Sequence, residues 1–437
     1  MSLSWTDRHR PSRSLFVLAA IVSLTMAACG APPQTSVAAP SSAKMRAATE
    51  ALLAGARANE TDAMLVVRDG EVLAEYRKPK LDPDGIEMMS ATKSLVALGI
   101  GRLIQLRRIK SIDQPVGDFY PEWKQGQKAL ITIRMLMNHT SGLQNLPNTR
   151  YEIYPAPDAI KLALAAELTD PPGTRFEYNN KATNLLAGII ERASGQRMDR
   201  FLSDELLRHL GVTDAPWNEQ GGFDPTGNPY GMSGWKATTQ TAIKVGQLLL
   251  DEGRWNGRAL IDAEFMRQMV AQGSPLDRYC GLLWWRRTEH RQYAVNRDGL
   301  SRLASAGVAA TDLEALRALG ERRFGTEGQA LRAAFDGHDG AEAFRQRLLE
   351  RKLRSTDAVA DLSGPIEAYS AEGFLGQYIV VVPKARLVAV RQIDSRPQIG
   401  EWPYNYTEFV PNVIALGRAL EPDLSLESAP THISDND

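Results

Sequence analysis

Three serines in this chain are followed by a lysine three residues later, a spacing that can pair a nucleophile with its own base. On a helix, residues i and i+3 share one face, so the lysine amine can reach the serine hydroxyl. A neutral lysine can then take the hydroxyl proton and activate the oxygen for attack on a carbonyl. Because this spacing also arises by chance, the residues around each pair decide which pair is catalytic. The pairs are Ser41 with Lys44, Ser90 with Lys93, and Ser233 with Lys236.

The surroundings favour Ser90. An apolar run, "LVALGIGRLIQL" at 95–106, follows it and predicts a buried helix. Ser90 alone would fit an N-cap, but a cap does not explain Lys93, a charge in the first turn of that helix. Burial and the positive end of the helix dipole both lower the pKa of such a lysine. The N–H groups at the helix start can also hold a developing oxyanion. We therefore predict Ser90 as nucleophile and Lys93 as its base.

The other two pairs lack such surroundings. Ser41 ends "GAPPQTSVAAPSS", a stretch rich in Pro, Ala and Ser that is typical of a flexible tether. Ser233 lies in "NPYGMSGWKATT", which predicts a loop. A nucleophile needs a preorganised site, which a tether does not provide.

A second motif, "FEYNNKATN", contains Tyr178 and Asn180, the only Tyr-x-Asn in the chain. It follows the turn "DPPGT" and precedes a predicted helix at 183–194. Tyr178 can serve as a second proton carrier, and Asn180 can hydrogen-bond the amide or ester of a substrate. A Tyr-x-Asn by itself is more often a capped turn. His139, in the loop "NHTSG", is predicted to cap that loop rather than to act in a triad.

The elements around these motifs predict an α+β fold. Residues 62–77 form a hairpin around Asp69-Gly70, 376–393 give two more strands, and a further strand is predicted in 279–287. The middle of the chain is helical, for example at 241–253, and a last helix near the C-terminus must start or kink at Pro411. We expect an antiparallel sheet built from both chain ends, flanked by helices, with a mostly helical lobe and a site in the cleft between them.

A charged segment interrupts this pattern at about 305–360. Three short amphipathic helices separated by glycines are predicted there, as a helical insertion between two strands of the sheet. The composition favours a surface decoration, and the alternative is a lid that shapes the range of substrates.

The N-terminus predicts export. Residues 1–28 combine a basic start with an apolar run and are typical of a signal peptide. The run ends in "MAACG", which resembles a lipobox, so Cys29 is predicted to carry lipid and 29–46 to be the lipidated N-terminus and tether; the alternative is ordinary signal cleavage nearby. The hydrolase domain is then 47–437, in the cell envelope and facing the periplasm or the cell exterior. Gly30 after the lipidated residue favours the outer membrane where the organism has one.

Cys280, left without a partner, is predicted to be a buried thiol.

Composition excludes several classes of protein. With 51 basic and 52 acidic residues the net charge is -1, which argues against a nucleic-acid binder. No Gly-x-Ser-x-Gly elbow is present, which argues against an α/β-hydrolase. No His-x-x-x-His or paired Cys-x-x-Cys pattern indicates zinc, and we expect neither a metal nor a cofactor. Trp235, Trp284 and Trp285 can line the cleft, although tryptophans at such positions are usually core.

From about residue 55 to 420 the chain resembles the serine β-lactamases and penicillin-binding proteins, in particular the class C β-lactamase-like and esterase branch. The motifs that carry this resemblance are "MMSATKSL", "ITIRMLMNHTSGL", "PPGTRFEYNN", "VGQLLLDEGRWNG" and "GFLGQYIVVVPKARLVAV". The resemblance implies Ser90 as nucleophile, Lys93 as its partner, Tyr178 as general acid/base and Asn180 as a substrate contact. It also implies an acyl-enzyme that water hydrolyses.

One motif departs from the family. Where β-lactamases and transpeptidases carry Lys-Thr-Gly, this chain has Ala371-Glu372-Gly373. The missing lysine helps to bind the carboxylate of a β-lactam or peptide end, and esterases of the family commonly lack it. Gly373 still allows a substrate to approach the strand, and the Phe374 N–H can complete the oxyanion hole.

We therefore expect an exported serine hydrolase of small esters or amides. The alternatives are a β-lactamase or D-alanyl-D-alanine carboxypeptidase and, from another class, a non-catalytic protein that binds cell-wall fragments. The expected partners are a small-molecule substrate and, through the lipid, the membrane; the sequence indicates no oligomeric state.

Overall fold

The computed structural model describes residues 34–37, 42–81, 85–146, 148–213, 216–394 and 406–427, all within the compact unit Pro33–Asp437. The predicted signal peptide and Cys29 lie outside the described residues. Helix α1 (Ala43–Ala58) begins inside the stretch predicted as tether, because Ser42 caps it by accepting a hydrogen bond from the Met45 N–H. Its apolar residues recur at helical spacing and are buried, from Met45 to Ala56. The end of the predicted tether, 43–46, is therefore helical.

In the described residues, seven strands form one antiparallel sheet, in the order β1-β3-β2-β13-β12-β11-β8. Its strands come from the two ends of the folded chain, as the sequence predicted. Three two-stranded pairs, β4–β5, β6–β7 and β9–β10, complete the set. The strands are β1 (Gln34–Val37), β2 (Ala63–Arg68), β3 (Glu71–Arg77), β4 (Ile86–Glu87), β5 (Lys236–Ala237), β6 (Arg254–Trp255), β7 (Arg258–Ala259), β8 (Trp285–Arg287), β9 (Tyr293–Val295), β10 (Val359–Asp361), β11 (Ala368–Gly373), β12 (Gln377–Val382) and β13 (Leu387–Gln392).

The strand predictions are confirmed at the hairpins and in 279–287. Asp69 and Gly70 both have positive φ, 47° and 87°, as a tight two-residue turn requires. In 279–287 only Trp285–Arg287 is a strand. Leu283 adopts a left-handed φ of 61°, and Gly281 packs so closely that a Cβ would lie 2.3 Å from the Met269 carbonyl. The chain therefore turns before the strand begins.

Helices cover both faces of the sheet. The alternation of buried side chains along the strands divides the interior in two: Leu65 and Val67 join the core around α2 and α5, whereas Met64 and Val66 join the core under α1 and α14. The remaining helices are α2 (Thr92–Gln105), α3 (Ile133–Met137), α4 (Ala159–Ala165), α5 (Asn180–Ser194), α6 (Met198–Glu205), α7 (Thr239–Leu250), α8 (Ala263–Val270), α9 (Arg297–Ser305), α10 (Ala310–Ala318), α11 (Glu327–Ala334), α12 (His338–Glu350), α13 (Ser355–Ala358) and α14 (Phe409–Leu420). Pro411 lies in the first turn of α14, where a proline is tolerated.

The charged segment forms helices α9 to α13 between β9 and β10, more helices than the sequence predicted. They enclose a small core of their own that includes Leu316, Leu331 and Phe344. Arg175, in the loop before Tyr178, lies 3.5 Å from Glu342 of α12, which joins this segment to the loop. None of the described helices is long and apolar enough to cross a membrane.

Candidate active site

Ser90 lies on a single 3₁₀ turn, Met89–Ala91, directly before α2. The N-cap of α2 is Ala91, so Ser90 is not the cap that its position suggested. The turn is fixed on both sides: the Met88 N–H donates to the Trp235 carbonyl at 2.8 Å, and Met89 has a positive φ of 48°. Strained backbone of this kind persists only where the surroundings hold it. The turn presents the Ser90 hydroxyl between α2 and the sheet.

Lys93 is one helical turn further and is 3% exposed. Its Nζ lies 2.9 Å from Ser90 Oγ and donates to the Met232 carbonyl at 2.8 Å. The contact with Ser90 is the one that the i, i+3 spacing predicts; the contact with Met232 links positions far apart in sequence and was not foreseen. Burial lowers the pKa of Lys93 well below its ordinary value, since the charged ammonium is poorly solvated there. The amine is thereby suited to accept a proton.

Tyr178 reaches the same hydroxyl from the other side. Its phenol interacts with the Ser90 side chain, and Lys93 Nζ lies 5.0 Å from the centre of its ring. The ring lies near those of His139 (4.6 Å between centroids) and Trp285 (6.2 Å, nearly parallel). Burial raises the pKa of Tyr178, and the interaction with Ser90 opposes that shift. The phenol therefore keeps its proton near neutral pH.

His139 caps the loop that carries Tyr178, rather than its own loop as the sequence predicted, and also lines the cavity. Its Nδ1 accepts a hydrogen bond from the Asn179 N–H at 3.1 Å, which places the imidazole proton on Nε2. Asn179 in turn caps α5 and donates to the Leu143 carbonyl at 2.7 Å. Burial, and then the positive charge of Lys93, lower the pKa of His139 to about 3. A neutral His139 thus fixes the loop that carries Tyr178.

A buried ion pair supports this loop from behind, and the sequence reasoning missed it. Lys181, 1% exposed in the first turn of α5, lies 2.5 Å from Glu152. The signal was present in the sequence, because a lysine three residues after Tyr178, at the start of an apolar helix, needs a partner once it is buried. The pair ties α5 to the segment around 152.

The strand that carries the third motif packs directly against the Ser90 turn. A Cβ at Gly373 would lie 2.3 Å from the Met88 carbonyl, so only glycine allows this approach. Ala371 is buried in the core. Glu372 forms an ion pair with Arg287 and accepts a hydrogen bond from Ser370 Oγ at 2.6 Å. Beside the buried Ala371, the strand thus presents a carboxylate already tied to an arginine.

These groups line a narrow cavity beside Ser90. Cys280, the predicted buried thiol, and Trp285 belong to its lining, whereas Trp235 and Trp284 are core. The predicted substrate contacts Asn180, Gly373 and Phe374 lie outside the lining. Among the described residues the buried Asn180 Oδ1 has no hydrogen-bond partner, and the Phe374 side chain is 55% exposed. The lining residues are Ser90, Lys93, Ser94, His139, Tyr178, Cys280, Leu283, Trp285 and Glu372.

Comparison with known proteins gives a consistent picture. The family model described as Beta-lactamase matches residues 46–406. The chain is 31% identical over 234 residues to the 6-aminohexanoate-dimer hydrolase of Paenarthrobacter ureafaciens, an alignment that covers 49% of this chain and 58% of that one. It is 28% identical over 178 residues to esterase EstB of Burkholderia gladioli, with 34% and 45% covered. The chain thus spans about half the length of these curated relatives.

A solved structure, the putative beta-lactamase from Bacteroides dorei DSM 17855, superimposes with a TM-score of 0.57 at 19% identity. The superposition covers 87% of this chain and 99% of that one. At this level of identity the likeness concerns the fold.

Proposed function

We propose that this chain, which belongs to the beta-lactamase family, hydrolyses small esters or amides through an acyl-enzyme formed on Ser90. One observation carries the proposal: Ser90 Oγ lies 2.9 Å from the amine of a buried lysine, and Tyr178 lines the same cavity beside it. A nucleophile held between two proton-transfer groups is the arrangement that acyl transfer needs.

The reaction proceeds in two halves. Ser90 Oγ attacks the substrate carbonyl while its proton passes to neutral Lys93, and the N–H groups of Ser90 and Phe374 hold the resulting oxyanion. The tetrahedral intermediate then expels the alcohol or amine, which takes a proton through Tyr178. Water attacks the acyl-Ser90 ester, the same groups take its proton and return one to Ser90, and the acid product leaves.

The mouth of the cavity favours small esters and amides with an apolar part over β-lactams. No lysine occupies position 371, and Glu372 places a carboxylate at this edge. Exposed apolar side chains lie on both flanks: Phe374 follows the glycine packed on the Ser90 turn, and Leu146 follows Asn145, which donates to the Tyr178 carbonyl. Exposed apolar patches commonly mark binding surfaces. The names of the two curated relatives, a 6-aminohexanoate-dimer hydrolase and an esterase, fit the hydrolysis of small amides or esters.

A fluorophosphonate probe tests the nucleophile without assuming a substrate. We expect it to label Ser90 in the folded protein, and we expect Ser90→Ala to lose labelling and at least about 10³-fold in turnover of p-nitrophenyl acetate. Ser41→Ala, which alters another Ser-x-x-Lys pair, is the matched control and should behave as wild type. Turnover that survives Ser90→Ala would refute the proposal. A folded protein that the probe does not label would favour the non-catalytic alternative, and rapid nitrocefin hydrolysis would favour a β-lactamase.

We also propose that the enzyme is exported and anchored by lipid on Cys29, in the cell envelope. The support is the sequence pattern alone, a basic start and an apolar run that ends in "MAACG". Cys29→Ser should move the protein from the membrane fraction to the soluble fraction, and intact-mass measurement should show the loss of a lipid. A wild-type protein without lipid would contradict the proposal.

A further inference from the structure

A second cavity, of about 500 Å³, adjoins the one around Ser90. Its lining includes Arg287, Thr288 and Arg291 from the segment that follows strand β8, together with Glu372. Glu372 lines both cavities, so its ion pair with Arg287 stands between them. A ligand in the second cavity can therefore lie next to a substrate held at Ser90.

Two polar groups in this cavity lack a partner. The Thr288 side chain is 5% exposed, and its buried hydroxyl makes no hydrogen bond within the described part of the chain. The buried Arg291 Nε is likewise without a hydrogen-bond partner there. Buried polar groups are nearly always satisfied, so two unsatisfied groups in one cavity call for an explanation.

Arg291 is also an uncompensated charge. Its guanidinium stacks on the Tyr279 ring at 3.9 Å but forms no ion pair with any described residue. Asp277 interacts with it only through space, and Arg287, which repels it, is already paired with Glu372. Glu289, another carboxylate of this lining, pairs with Arg418. A partly buried cation without a partner destabilises the free protein, and such a group is often retained for binding.

We propose that the second cavity is a carboxylate-binding subsite, in which the Arg291 guanidinium and the Thr288 hydroxyl hold the carboxylate of a ligand. A guanidinium offers two parallel N–H donors that match the two oxygens of a carboxylate, and a hydroxyl adds a third donor. The carboxylate belongs either to the substrate, reaching past Glu372 from the ester at Ser90, or to a separate small acid. The inference rests on the proposed function, since it assumes ester or amide turnover at Ser90.

Matched pairs of esters test the subsite. Mono-p-nitrophenyl esters of dicarboxylic acids, from glutarate to suberate, carry a free carboxylate, and capping it as a methyl ester gives a neutral partner of similar shape. We expect wild type to prefer the anionic partner in kcat/KM by about 10- to 100-fold at one chain length. Arg291→Met should abolish this preference while leaving turnover of the neutral esters within about twofold. Thr288→Val, which keeps the shape of the side chain, should reduce the preference by less.

Added adipate distinguishes the two sources of the carboxylate. If the substrate supplies it, adipate competes with the anionic esters and leaves neutral esters unaffected. If a separate acid binds, adipate changes turnover of the neutral esters in wild type but not in Arg291→Met. Either result supports the subsite.

Controls separate binding from folding. Arg323→Met removes an exposed arginine outside the cavity and should behave as wild type. The Tm of Arg291→Met should equal or exceed that of wild type, because the variant removes an unpaired cation.

The subsite is ruled out if wild type shows no preference for anionic esters at any chain length and no response to adipate. It is also ruled out if Arg291→Met and Thr288→Val both keep the preference. A lower Tm together with loss of neutral-ester turnover would show that Arg291 is structural. Loss of Ser90-dependent turnover would refute the proposed function instead, so the two failures are distinguishable.

Discussion

Each of the two adjoining cavities contains a cation, and the two cations differ in their contacts. Lys93 contacts Ser90 Oγ and the Met232 carbonyl, whereas Arg291 stacks on a tyrosine ring and meets no carboxylate among the described residues. Burial lowers the pKa of both side chains. A lysine can become neutral under this influence, but a guanidinium remains charged at any physiological pH. Similar surroundings thus favour a base in one cavity and a permanent charge in the other.

The largest expected effect comes from giving the first cavity a permanent charge. Lys93→Arg keeps a donor near Ser90 but removes the group that can accept a proton, so we expect kcat for p-nitrophenyl acetate to fall by about 10³- to 10⁴-fold. In wild type, activity should rise with pH through the depressed pKa of Lys93, since only the neutral amine is a base. A pH–rate profile measures both effects.

Lys93→Met provides the control for packing. It removes the charge and the base together and should be equally inactive, yet it should be no less stable than wild type, because it removes a desolvated cation. Substantial activity in Lys93→Arg would show that the lysine acts by its charge rather than as a base.

Tyr178→Phe should have the next largest effect. The variant keeps the ring that lies beside His139 and Trp285 but removes the hydroxyl that contacts Ser90. General acid catalysis contributes about 10²- to 10⁴-fold, so we expect kcat to fall by at least about 10²-fold with an unchanged Tm. The fall should be smaller for esters with better leaving groups, which need less protonation. A fall independent of the leaving group would argue that Tyr178 only positions Ser90.

Because His139 is buried in its neutral form beside Lys93, we expect the free energy of unfolding to decrease in acid. Its pKa is about 3 when folded and about 6.5 when unfolded, so between these values the unfolded chain binds more protons. Stability from this group is complete above pH 6.5 and is lost as the pH falls toward 3. The loss between pH 7 and pH 4 should be about 3 kcal/mol of unfolding free energy, measured by urea titration.

His139→Asn should remove this dependence. Asparagine tolerates the positive φ of 58° at this position and can accept the hydrogen bond from Asn179. His209→Asn, at an exposed histidine, is the control and should retain the acid sensitivity. An unchanged pH dependence in His139→Asn would assign the acid sensitivity to other groups.

The first cavity could largely be predicted from sequence because its main contacts are local or carry a strong pattern. Ser90 and Lys93 are one helical turn apart, and the burial of α2 follows from an unbroken apolar run. The same holds for the hairpin at Asp69-Gly70. The Met232 carbonyl and the Lys181–Glu152 pair were missed because they join segments far apart in the chain, which periodicity does not reveal.

No pattern in the sequence predicted the second cavity. Thr288 and Arg291 follow strand β8, which occupies only the end of 279–287 because Leu283 turns the backbone before Trp285. Their missing partners are visible only when every neighbour is placed in space. The orphaned groups therefore emerge from packing rather than from residue spacing.

Arg291→Lys should have the smallest effect and would sharpen the contrast between the two cavities most directly. A lysine keeps the positive charge but loses the paired donors, so we expect the preference for anionic esters to fall by about 3- to 10-fold near neutral pH rather than to vanish. The new lysine would share the partial burial that lowers the pKa of Arg291. Its charge, and with it the remaining preference, should decline as the pH rises toward 9, whereas the preference of wild type should stay constant over that range. The ratio of kcat/KM for each ester pair, measured from pH 6 to 9, shows the difference. If the preference of Arg291→Lys stays as constant with pH as that of wild type, position 291 is too well solvated to lower the pKa of a lysine. The first cavity, by contrast, lowers the pKa of Lys93.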